Sequence, residues 1–331
     1  MKNETKYAFV GVGVALGGIV TVSAVTSLIT KRLLKLAMDR KEPKSIVKNK
    51  AKLTRSGDMN LFLEAVAKAD KKLRECNSET VEICSHDGVR LVGHWRMPSD
   101  PKRVIIAMHG WRSSWAQDFG SISDFWYDND CAVLYAEQRG HGNSGGEYLG
   151  FGMLERHDCL GWINWVNEKT DMSLPVYLGG VSMGATTVLM TAGLDLPDNV
   201  KGIVADCGFT SPQAIWKHVV EKKFHMPYSL HASTASELCR KRINMTSHEY
   251  SAVDAMKVCK IPILFIHGTD DKFVPINMTY ENYKACVAPK RIMVVPGAGH
   301  GMSYFTDKQG YESAVIDFWN KYDFSKNDLN S

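Results

Sequence analysis

The sequence predicts an α/β fold: a mostly parallel central sheet with helices on both faces and a short helical cap, preceded by an N-terminal transmembrane helix. Three observations carry this. From about residue 79, apolar runs alternate with helical stretches, the order that builds a parallel sheet covered on both sides. The stretch 207–257 interrupts that alternation. Residues 7–30, "YAFVGVGVALGGIVTVSAVTSLIT", carry no charge.

That uncharged run is long enough to cross a bilayer as a helix, and its glycines are tolerated in membrane spans. "VSA" at 22–24 resembles a signal-peptidase site, but the apolar run continues to Ile29, so the expectation is an uncleaved anchor, residues 1–30. Residues 31–55 hold 10 basic and 2 acidic residues. Basic residues after the span place the catalytic domain on the cytoplasmic side of the cell membrane and hold the linker against anionic lipid. Secretion after signal cleavage, or the extracellular face, is the alternative. Nucleic acid is the weaker partner for this charge, because no nucleic-acid fold signature accompanies it. Residues 42–57, with Pro43 and Gly57, read as linker, and 58–75 as a helix opened by Asp58. Residues 31–78 therefore join the anchor to a domain at 79–331.

Within that domain "TVEICSHDGVRLVGHWRM" alternates around Asp87-Gly88 and reads as a β-hairpin. Strands follow at 104–108, 131–136, 176–181, 202–205, 263–266 and 291–295, with helices near 114–127, 154–168, 183–193, 276–287 and 308–322. In such sheets reactive groups gather at the carboxyl ends of the strands. Ser182 stands there, in "GGVSMGATT", directly after an apolar strand and directly before a helix. This G-x-S-x-G context suits a sharp turn that presents a nucleophile; close helix–strand packing is the competing explanation of the small residues. A serine needs a base, and His300 follows the last strand in "PGAGHGM". Asp270 and Asp271, in "HGTDDKFVP", are both available to orient it. Asp206, at another strand end, is an alternative acid.

With "HGW", "RGHGNSGG", "GVSMG", "HGTDDKFVP" and "GAGHG" in this order, residues 79–322 resemble an α/β-hydrolase of the esterase and lipase type. The resemblance implies a Ser182–His300–Asp271 triad, with Asp271 preferred over Asp270 by its place after the glycine of the "HG" pair. It also implies an oxyanion hole made by the backbone N–H groups of Met183 and Trp111, with Arg112 the second candidate after Trp111. His109 and His267 read as local hydrogen-bonding groups, and Arg139 and His141 as structural parts of a loop that recurs in the family.

The implied reaction is acyl transfer from a carboxylic ester or thioester with an apolar part, through an acyl-enzyme and without cofactor or metal. Eight cysteines without paired spacing argue against a zinc site or a disulfide framework, and the glycine-rich loop lacks a phosphate-loop ending. In the cap, Ile215, Trp216, Val219, Val220, Phe224, Met226 and Tyr228 suggest an apolar lining, or simply the cap's own core. A lipid-derived ester is an attractive substrate for an anchored enzyme. Two rival functions stand beside this: a serine peptidase related to the prolyl oligopeptidase group, though the chain lacks room for that group's propeller, and a non-catalytic binding scaffold.

Overall fold

A computed structural model of the chain describes residues 24–41 and 57–323. The elements run α1 (24–38), α2 (Gly57–Glu75), β1 (Glu79–Cys84), β2 (Arg90–Arg96), β3 (Arg103–Met108), α3 (Trp115–Phe119), α4 (Ser123–Asp128), β4 (Cys131–Glu137) and α5 (Glu155–Lys169). Then come β5 (Val176–Val181), α6 (Met183–Thr191), β6 (Val200–Asp206), α7 (Pro212–Lys223), α8 (Ala232–Ile243) and α9 (Ala252–Met256). The last are β7 (Ile263–Gly268), α10 (Ile276–Ala285), β8 (Lys290–Val295), α11 (Ser303–Thr306) and α12 (Lys308–Tyr322).

The eight strands form one sheet in the order β1-β2-β4-β3-β5-β6-β7-β8. β1 and β2 are the expected hairpin and pair antiparallel, as do β2 and β4; the pairs from β4 through β3 to β8 are parallel. Parallel strands need crossovers, and the alternating helices supply them on both faces. β3 shows the consequence for the core. Val104, Ile106 and Met108 face one apolar layer with α1 and α5 to α10, while Ile105 and Ala107 face a second with α2, α3, α4 and α12. Both faces are buried, so the central strands are apolar throughout rather than alternating. The helix expected near 114–127 is two short ones, α3 and α4.

The N-terminal expectation is corrected. Among the described residues no helix is long and apolar enough to cross a membrane, and the single-pass placement in the cell membrane is corrected with it. Residues 1–23, which hold most of the expected span, lie outside the described residues. Residues 24–30, its last part, instead open α1, which continues through the basic residues to 38. α1 is amphipathic across the boundary at which the span was expected to end. Leu34 and Met38 are buried in the domain core, while Lys31, Arg32 and Lys35 face solvent.

Polar contacts fix the end of α1. Leu149 N–H donates to Met38 O at 2.7 Å, and Arg40 N–H to Glu147 O at 2.8 Å. Arg242 pairs with Asp39 at 2.8 Å. The Arg112 guanidinium donates to Leu36 O at 2.8 Å and Asp39 O at 2.6 Å, so a cation closes the helix end where carbonyls lack partners.

Candidate active site

Ser182 lies between β5 and α6 with φ 56° and ψ −115°, a backbone region that residues with a side chain rarely occupy. Two main-chain bonds hold the turn: Ser182 N–H to Asp206 O at 2.8 Å and Thr186 N–H to Ser182 O at 3.0 Å. The flanking glycines are a packing requirement. A Cβ on Gly184 would stand 1.7 Å from Met108 O, and one on Gly180 would stand 2.4 Å from the Gly184 carbonyl carbon. The close helix–strand approach and the sharp turn, which competed as explanations of this motif, are therefore one structure: packing α6 against β3 forces the turn that exposes the hydroxyl.

The loops after β7 and β8 bring the partners. His300 Nε2 lies 2.9 Å from Ser182 Oγ, and His300 Nδ1 lies 2.7 Å from Asp271 Oδ2. Asp271 is buried, and its Oδ1 accepts from Phe273 N–H at 2.8 Å and Val274 N–H at 2.9 Å. Burial opposes its charge, but hydrogen bonding to His267 and His300 and to the Val274 amide outweighs this and holds the carboxyl well below the usual range. Asp270, one residue earlier, is exposed, and among the described residues its side chain accepts only from Thr269 Oγ1 at 3.0 Å. Asp206 is buried and bonded to Ser303 Oγ at 2.9 Å, with no hydrogen bond to His300 among the described residues. Burial pushes its pKa up to about 6.

The oxyanion candidates are arranged by elimination. Gly110 N–H is taken by Asp118 Oδ2 at 2.6 Å and Arg112 N–H by His141 Nε2 at 3.0 Å. Among the described residues the amides of Trp111 and Met183 have no such partner. His141 can accept because it is neutral: burial, with His109 beside it, pushes its pKa down to about 3, and Nδ1–H donates to Arg139 O at 3.0 Å. His109 joins β3 to β4 in the same way, through Gly110 O at 2.9 Å and Gln138 N–H at 3.1 Å.

Among the described residues two clusters bring His, Cys and Asp ligand atoms together. In Cys207–Asp271–His300 the carboxylate and imidazole already bind each other, and burial keeps the thiol protonated. In His86–Asp87–Asp158 both carboxylates are bonded to Arg139.

Two cavities meet at Ser182. One, of about 120 Å³, lies under α1 and the cap; the other, of about 410 Å³, runs past His300 and opens beside Phe62, Leu63 and Phe305. Six of the seven expected cap residues line the smaller cavity, and Met226 instead packs into the core. Trp111 borders both cavities, and its Nε1–H donates to Ala37 O at 2.8 Å.

His267 is the local hydrogen-bonding group expected: its Nε2 lies 3.2 Å from Asp271 Oδ2 and 2.9 Å from Val274 O, bracing the acid. Sequence reasoning missed two contributors. Phe273 packs on His300 at a ring distance of 5.0 Å. The second is α1, whose leucines wall the smaller cavity.

The sheet order, the elbow and the grouped loops define a serine hydrolase of the α/β-hydrolase superfamily. Residues 117–325 match the prolyl oligopeptidase family, and the chain belongs to that family. It is 27% identical over 236 residues to the uncharacterized protein YqkD of Bacillus subtilis (strain 168), covering 71% of this chain and 77% of that one. A Pyrococcus furiosus esterase superposes with a TM-score of 0.63 at 22% identity, over 77% of this chain and 94% of that one. Est1E from Butyrivibrio proteoclasticus, solved with ferulic acid bound, gives 0.57 at 17% identity, over 74% and 98%. At these identities the solved structures share the fold.

Proposed function

We propose that the chain hydrolyses carboxylic esters or thioesters with an apolar part, using Ser182 as nucleophile, His300 as base and Asp271 as the orienting acid. The observation that carries this is the pair of contacts at His300, 2.9 Å to Ser182 Oγ and 2.7 Å to Asp271 Oδ2, at the meeting of two cavities. Ser182 Oγ attacks the carbonyl carbon as its proton passes to His300 Nε2. The carbonyl oxygen gains charge beside the Met183 and Trp111 amides. The carbon–oxygen (or carbon–sulfur) bond breaks, and His300 returns the proton to the leaving group. Water then attacks the acyl-enzyme, losing a proton to His300, which passes that proton to Ser182 Oγ as the acid is released. Asp271, held ionised, keeps Nδ1 protonated and stabilises the imidazolium.

The family match favours a second reading, in which the same groups cleave an amide. A fluorophosphonate probe and two substrate panels, p-nitrophenyl esters and peptide p-nitroanilides, separate the possibilities. The expected result is Ser182-dependent labelling with ester turnover, both lost in Ser182→Ala. Turnover of anilides alone would move the assignment to peptidase. Labelling that persists undiminished in Ser182→Ala would remove the nucleophile.

A further inference from the structure

We infer that the smaller cavity is the acyl site, that it takes a short uncharged acyl group, and that α1 sets its length. This rests on the ester reading above. The two cavities share Ser182 but differ in one lining residue that decides their roles. His300 borders the 410 Å³ cavity and is absent from the walls of the 120 Å³ one. In acyl transfer the leaving group receives the proton from the base, so it departs on the side where the imidazole stands. The acyl group then points the other way, into the smaller cavity.

The chemistry of that cavity restricts its occupant. Among the described residues no carboxylate, ammonium or guanidinium group lines it. Thr30 and His231, two of its polar members, bind each other at 2.7 Å, and Thr30 Oγ1–H donates onward to Thr26 O at 2.8 Å. A charged acyl tail would be desolvated there without a counter-ion. Size restricts it further. The volume, about 120 Å³, is below the ~150 Å³ cavity that admits benzene, which leaves room for about four to six carbons.

One wall comes from the cap, through Trp216, Val219 and Phe224, and the facing wall from α1, through Leu33, Leu34 and Ala37. α1 is also anchored outside the cavity: Met38, which does not line it, is buried, and the Arg112 guanidinium holds Asp39 O at 2.6 Å. Leu33 is only partly buried, so its size can change while those anchors stay.

The test uses the full chain and p-nitrophenyl acetate, butanoate, hexanoate and decanoate, with the wild type, Leu33→Trp, Leu33→Ala and, from the cap side, Val219→Phe. One methylene too many in an apolar pocket costs about 10- to 200-fold in kcat/KM. The wild type should therefore prefer butanoate or hexanoate and fall at least about tenfold by decanoate. Leu33→Trp and Val219→Phe should each lower the hexanoate-to-acetate ratio about tenfold, and Leu33→Ala should move the preference toward longer chains. Ratios within one protein are insensitive to a partly unfolded preparation. In a second series, ethyl and octyl butanoate should keep their ratio in every variant. Ester turnover without these acyl-length shifts, or shifts confined to the alcohol series, would overturn the acyl assignment alone. Absence of turnover on every ester, with Ser182-dependent labelling intact, would overturn the ester reading and the acyl site with it.

Discussion

Adding one methyl group to Gly184 tests how the nucleophile is presented. In the folded chain that Cβ would stand 1.7 Å from Met108 O, whereas real Cβ contacts essentially never fall under 3.0 Å. Either α6 or the end of β3 must move by about 1.3 Å, and the obstacle is main chain inside a close-packed core. Overpacking of this kind costs about 1–3 kcal/mol. With about 2–4 °C of melting temperature per kcal/mol, Gly184→Ala should melt about 2–12 °C lower. The loss of activity should be larger in proportion, because Ser182 immediately precedes α6 and a misplacement of about 1 Å costs roughly 100-fold in rate. Gly88→Ala is the control. Its φ is 82° and no atom lies within 4 Å of the added Cβ, so it carries a backbone cost of about 1–2 kcal/mol and no effect on turnover. Thermal unfolding and kcat measured on the same preparations decide. A Gly184→Ala protein with wild-type melting and wild-type kcat would refute the packing account of the elbow.

Asp271→Asn should lower kcat by about 10⁴-fold, since an amide in that place favours the wrong tautomer of His300, whereas Asp270→Asn should change kcat less than about threefold. Comparable losses in the two variants would contradict the assignment. Asp206 has its folded pKa raised from 3.8 to about 6, so its proton stabilises the fold at low pH. That stability is complete below the unfolded value and is lost as pH rises through about 6, up to about 3 kcal/mol. Asp206→Asn escapes the loss, so urea unfolding should show the variant gaining on the wild type between pH 4.5 and pH 7.5; an equal difference at both pH values would count against the buried environment described for Asp206.

The sheet and the triad geometry were legible because their signals are local and periodic. Each central strand is an apolar run followed by a helix, and Ser182, Asp271 and His300 each follow a strand within a few residues, where a parallel sheet collects loops. The choice between Asp270 and Asp271 was not legible from residue chemistry, because both are carboxylates on one loop. In the structure it is Asp271, and not Asp270, that meets His300, 29 residues on and therefore a tertiary contact.

The failure at the front of the chain has a different cause. Counting uncharged residues from 7 to 30 treats charge as a boundary, but an amphipathic helix carries lysines on its exposed face and leucines on its buried one without interruption. Lys31 and Arg32 therefore do not end anything; they are followed by Leu33 and Leu34, which face the domain. What the sequence of α1 cannot display is the partner of its C-terminal end, the loop after β3. Trp111 and Arg112 supply the donors that hold the α1 carbonyls, and the same two residues carry the main-chain turn in which Arg112 has φ 51° and the Trp111 amide is left without a partner among the described residues. A strained turn persists only where its surroundings over-determine it. Here the surroundings are α1 on one side and His141 on the other, so the helix that walls the smaller cavity also holds the loop that carries the Trp111 amide.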